Sequence, residues 1–153
     1  INNKTNQETV LKIFLFYADT ASQVTGWRNG TNRFFIALNT IVITLVTTFY
    51  EFGLYITPRW LIFIPIFVLI SLCILWARMI KSYKQLNAAK FKVIRDIEDI
   101  LPIRPFTYCE WDEKLCEGKD PKLYMQTTTL ESFIPVIVGS IYLIGGIAYC
   151  IFV

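Results

Sequence analysis

Thr40, Thr44 and Thr47 recur at steps of four and three residues, and Glu51 follows one turn later. On a helix these hydroxyls share a face that ends in a carboxylate. Such a face would line a hydrated pore or groove with an acidic mouth. The structural alternative is that each hydroxyl bonds its own helix backbone and packs at a helix contact. A second cluster is basic: Arg78, Lys81, Lys84, Lys90, Lys92 and Arg95 follow one another with no acid among them. Arg78, Lys81 and Lys84 are placed to contact anionic lipid headgroups, and charges of this kind also fix topology. Asp96, Glu98, Asp99 and the acids of 110–117 balance the run, so nucleic acid is not an expected partner. No constellation for catalysis is present: the chain has no His, no nucleophile elbow and no phosphate-cradling glycine loop. No catalytic residue, cofactor or metal is expected, and the protein is read as a non-enzyme. Cys109 and Cys116 stand seven positions apart, a poor match to zinc spacing, and Cys73 and Cys150 fall in apolar blocks.

Three uncharged hydrophobic blocks position these residues: 34–50, 60–77 and 132–153. As helices they rise about 25–33 Å at 1.5 Å per residue, the thickness of a bilayer's hydrocarbon core. A chain that is 54% hydrophobic and 16% aromatic cannot bury three such helices in a soluble fold of 153 residues. The fold class is therefore an all-α membrane protein with three transmembrane helices and a cytoplasmic helical layer. The expected divisions are 1–33 (N-terminal amphipathic helix), 34–56 (first span), 59–80 (second span), 81–131 (cytoplasmic helix and ordered loop) and 132–153 (third span).

Of the 15 Lys and Arg, four precede the first span, ten lie between the second and third, and Arg59 alone occupies the short loop. The positive-inside rule then puts the N-terminus and the 78–131 loop in the cytoplasm and the C-terminus in the periplasm. No short apolar region with a cleavage site precedes the first block, so no signal peptide is expected.

Two amphipathic helices should build the cytoplasmic layer. Thr5 to Glu8 has the spacing of a capping box, and Val10, Phe14, Tyr17, Ala21 and Val24 form an apolar stripe behind it. Gly26 and Gly30 are expected to loosen that helix before the first span. After the second span, 78–101 lacks Gly and Pro and stops before Pro102. It should continue the span as one helix of about forty residues, ~60 Å long. Leu86, Ala89, Val93, Ile97 and Ile100 form one stripe, and Ile80, Tyr83, Asn87, Phe91 and Ile94 form a second beside it. Together the stripes are too wide for a helix that faces solvent, so partners must cover them. Tyr83, Leu86, Asn87, Lys90, Phe91, Val93, Ile94 and Ile97 are accordingly the expected packing or oligomer residues, joined by Glu110 and Trp111 from the loop. Pro102 and Pro105 should fix a rigid turn, with Glu110 paired to Lys90 or Arg95 of its own or a neighbouring subunit. Thr128 and Glu131 have capping-box spacing at the start of the third span.

The run Trp76-Ala-Arg-Met-Ile80, Ser82-Tyr83, Leu86-Asn87, Lys90-Phe91-Lys-Val93-Ile94, Glu98, Leu101-Pro102, Pro105-Phe106 and Glu110-Trp111 resembles the RipA-like bacterial inner-membrane proteins. Arg28, Asn32 and Phe35, and Thr128, Glu131 and Pro135, are similar to that family as well, so the resemblance covers nearly the whole chain. It implies a homo-octamer in the bacterial inner membrane, with self and the lipid bilayer as partners and a role in intracellular growth. Octamer number comes from the resemblance alone. The expected function is a membrane assembly or scaffold supporting intracellular growth or envelope stress adaptation. The alternative is a conduit lined by the Thr face or by the cytoplasmic helices.

Overall fold

The computed structural model describes residues 2–52, 59–115, 117, 119, 120 and 127–152. Three α-helices carry the chain: α1 (Asn2–Glu51), α2 (Phe63–Glu98) and α3 (Thr127–Phe152). A 3-10 turn, Arg59–Ile62, leads into α2, and a π-helix, Pro105–Asp112, follows it. No strand occurs among the described residues. All three α-helices contain stretches long and apolar enough to cross a membrane.

Several expectations about the elements need correction. Gly26 and Gly30 do not end the N-terminal helix, because α1 runs through both without interruption. Open space surrounds both glycines. Glycine costs a helix interior only about 1 kcal/mol relative to Ala, which a 50-residue helix without proline tolerates. Thr5 and Thr128 stand inside helices that begin at Asn2 and Thr127, not at caps; their side chains lie outside the described residues. The second long helix has 36 residues rather than about forty. It ends at Glu98, where Ile100 and Leu101 donate to the carbonyls of Ile97 and Glu98 in a tighter closing turn. Within the expected loop, Pro105–Asp112 is a π-helix. Cys109 donates to the Arg104 carbonyl and Glu113 to that of Tyr108, both five residues back, the spacing of a π-helix. Cys116, Lys122, the side chain of Cys150 and the apolar residues 53–56 lie outside the described residues.

The chain forms two compact units. One comprises 1–28 and 82–130, and the other 29–81 and 131–153. The first unit has a core of Phe14, Ala21 and Ile94, with Tyr17, Ile97, Leu101 and Phe106 packed around it. The Phe14 and Phe106 rings meet at 5.8 Å, tilted by 43°. The α1 stripe read from the sequence supplies this buried face, with Val24 only 1% exposed.

The second unit holds the apolar stretches of all three helices. Phe35, Trp76 and Ile80 form its core with Leu72. Polar ties between helices supplement that core. Trp76 Nε1 donates to Asn32 Oδ1 at 2.8 Å, and Tyr142 Oη donates to Asn39 Oδ1 at 3.0 Å. Asn39 in turn donates to the Phe35 carbonyl at 2.8 Å, and Cys73 Sγ lies 4.0 Å from its Oδ1. Small residues set the approach of α3: a Cβ on Gly139 would stand 3.5 Å from Cys73, and one on Gly146 would stand 3.1 Å from Ile66. Gly139→Ala is therefore expected to leave the thermal midpoint in detergent almost unchanged. Gly139→Leu should lower it by several degrees, since a branched side chain there must push α3 away from Cys73. Equal midpoints for the two variants would mean that α3 does not pack closely here.

Candidate functional site

The residues from Lys84 to Arg95 that share one face of α2 do so at helical spacing: Lys84, Asn87, Ala88, Phe91, Ile94 and Arg95. The π-helix lies opposite and contributes Phe106, Thr107, Glu110 and Trp111, with Leu115 just beyond it. Between them is a cavity of about 550 Å³, within the range of sites that receive a ligand or an inserted side chain. Its walls are mainly aromatic and aliphatic, with Lys84, Arg95 and Glu110 as the charged groups.

Glu98 holds the two walls together. It is fully buried at the end of α2, where the helix dipole is negative and a carboxylate is poorly placed. The start of the π-helix compensates. Phe106 N donates to Glu98 Oε1 at 2.8 Å, and Thr107 N donates to Oε2 at 2.9 Å. The Thr107 hydroxyl donates to Oε2 as well. Pro105 occupies the first turn, where a missing N–H costs nothing. One side chain thus supplies acceptors to the N-terminal amides of the next element.

The cavity brings together Asn87, Phe91, Ile94, Glu110 and Trp111 of the expected packing residues, and adds Lys84 from the expected lipid contacts. Ile94 is buried in the core, and Ile97 packs against it. Phe91 remains 46% exposed and Leu86 43% exposed; Leu86 does not line the cavity. Tyr83 and Val93 are half-buried. Lys90 does not reach Glu110; its ammonium lies 5.9 Å from the centre of the Tyr17 ring, a cation–π distance. Glu110 makes no ion pair among the described residues, although Arg95 lines the same cavity. Asn87 Oδ1 is buried and lacks a donor among the described residues, a state that normally costs about 1–3 kcal/mol.

Arg78 and Lys81 are exposed on the second unit. In that unit the Thr face spends its hydroxyls on backbone. Thr40 donates to the Ile36 carbonyl, Thr44 to that of Thr40, and Thr47 to those of Ile43 and Thr44, at 2.8–3.1 Å. All three residues, and Glu51 after them, are exposed in the single chain. No group of three His, Cys, Asp or Glu side chains able to hold a metal occurs among the described residues.

Glu98 and Thr107 are site residues that sequence reasoning did not select, whereas Arg95 was named only as a partner for Glu110. Glu98 left a trace, since it falls in register with Ile94, Ile97 and Leu101 on the buried face. An acid at an apolar position must find donors, and the nearest proline-led segment supplies them.

A family model described as the octameric membrane protein family (8xMP) matches residues 11–152. No curated protein and no solved structure matches the chain significantly. With three apolar helices, the match places the chain among multi-pass membrane proteins.

Proposed function

The chain belongs to the octameric membrane protein family, and from that premise we propose that it works as a homo-octamer, a non-enzymatic scaffold in a bacterial inner membrane. The proposed topology has the N-terminus and residues 78–131 in the cytoplasm and the C-terminus in the periplasm. The 4:1:10 placement of basic residues around the loops supports this orientation. Arg78, Lys81 and Lys84 then meet the anionic headgroups of the cytoplasmic leaflet. Envelope stress adaptation and growth inside a host cell are the roles proposed for the scaffold.

One observation carries the reading. The unit rich in Lys and Arg leaves large apolar side chains uncovered: Leu86, Phe91, Ile100 and Ile103 are 43–73% exposed. Lipid does not cover such a surface on a charged unit, but further copies of the chain do.

Phe91→Asp tests it. Because Phe91 is only half-covered in the single chain, the substitution should leave the helical content intact. Its charge would be buried without a partner at the interface, so the mass in mild detergent should fall from that of eight chains to that of one or two. Full retention of the parent mass would remove Phe91 from the interface.

A conduit along the octamer axis is the second reading, favoured by the exposure of Thr40, Thr44 and Thr47 on the uncharged 34–50 stretch of α1. Ion flux into liposomes that depends on Glu51 would support it, and a sealed liposome would reject it.

A further inference from the structure

Eight copies related by a single rotation axis join through a heterologous contact, in which two different patches of one surface meet. The unit built from 1–28 and 82–130 carries one patch of each shape. The concave patch is the cavity of about 550 Å³ walled by Phe91, Phe106, Trp111 and Leu115. The convex patch is the turn that follows α2. There Leu101 is directed onto the core, whereas Ile100 and Ile103 are 73% and 68% exposed. Two exposed aliphatic side chains three positions apart on a closed turn are costly in water and suited to filling an aromatic-walled hollow.

The turn is preorganised for insertion. Its backbone is closed by the bonds from Ile100 N and Leu101 N, Pro102 fixes its φ, and an Asp99–Arg104 ion pair of 3.1 Å spans its base. Little conformational entropy is left to lose on docking. The charges also match. The knob is flanked by one acid and one base, and the cavity presents Lys84 and Arg95 with a Glu110 that has no ion pair among the described residues. Arg104 beside Glu110 and Asp99 beside Lys84 or Arg95 would extend the Asp99–Arg104 pair into a charge network across the contact, with one cavity base left over.

We infer that Ile100 and Ile103 of each copy insert into the cavity between α2 and the π-helix of the next copy, and that this contact, repeated around the axis, closes the ring. The inference rests on the octameric reading above and specifies its interface.

Cysteine cross-linking tests it in the full chain, with the four native cysteines replaced by alanine. Ile103→Cys and Ala88→Cys, the latter a cavity-wall position, are combined in one chain and oxidised in native membranes. A covalent ladder rising to eight chains is expected from the double variant and no link from either single variant. An eight-chain mass before oxidation with no ladder after it would overturn the insertion and leave the octamer standing. Ile103→Cys linking to itself would also overturn it, since that outcome means a two-fold contact. A one-chain mass before oxidation would reject the octamer itself, and the insertion with it. In the otherwise native chain, Ile103→Asp should lose the eight-chain mass at unchanged helical content, because the residue is exposed in the single chain. An Ile103→Asp octamer as abundant as the parent would contradict the inference.

Discussion

Glu98→Ala is expected to lower the stability of the unit built from 1–28 and 82–130 by roughly 3–5 kcal/mol, since several buried donors lose their acceptor at about 1–3 kcal/mol each. The carboxylate is fully buried and accepts from two backbone amides and one hydroxyl. Alanine would strand all three donors in a cavity with no replacement acceptor. The π-helix would then lose what secures its first turn to α2, and Phe106 would loosen from Phe14. Glu98→Gln keeps one acceptor oxygen but turns an NH₂ toward a donor, so it should fall between Ala and the parent. A thermal scan of helical content by circular dichroism checks the change. A Glu98→Ala protein with the parent's midpoint would show that the carboxylate does not hold the π-helix.

Trp76→Ala should be the most damaging single substitution in the other unit. Its ring is 1% exposed and lies parallel to Phe35, with centroids 5.9 Å apart and 6° between planes. Truncating a buried aromatic costs about 3–5 kcal/mol, and here the loss also strands Asn32 Oδ1, which Trp76 satisfies at 2.8 Å. Trp76→Phe separates the two terms. It keeps an aromatic plate against Phe35 and removes only the hydrogen bond, a loss of about 0.6–1.7 kcal/mol for a polar contact between helices in lipid. The order parent, Phe, Ala should therefore appear in midpoints of denaturation by SDS. Equal losses for Phe and Ala would mean that the hydrogen bond, rather than the stacked ring, carries the stability.

Apolar blocks and helical stripes were enough to read the helices, because burial in lipid or on a neighbouring helix leaves a periodic record. Phe14, Tyr17, Ala21 and Val24 were legible for that reason, and Ile94 and Ile97 likewise. The continuity of α1 through Gly26 and Gly30 was not legible, since local propensity costs less than packing along a long helix contributes. The π-helix was hidden too. Two of its first amides are satisfied by Glu98, eight and nine residues upstream, and such a tie has no local pattern. For the same reason the cavity was only half readable: Phe91, Arg95, Glu110 and Trp111 were legible from apolarity or charge, whereas Thr107 joins them only once the π-helix folds back on α2.

If several copies of this chain build one membrane assembly, the native mass of the unmodified protein released from lipid nanodiscs is that of eight chains. A single dominant species of eight chains that persists on dilution is expected. A dominant species of one chain, with α-helical content intact, would contradict it.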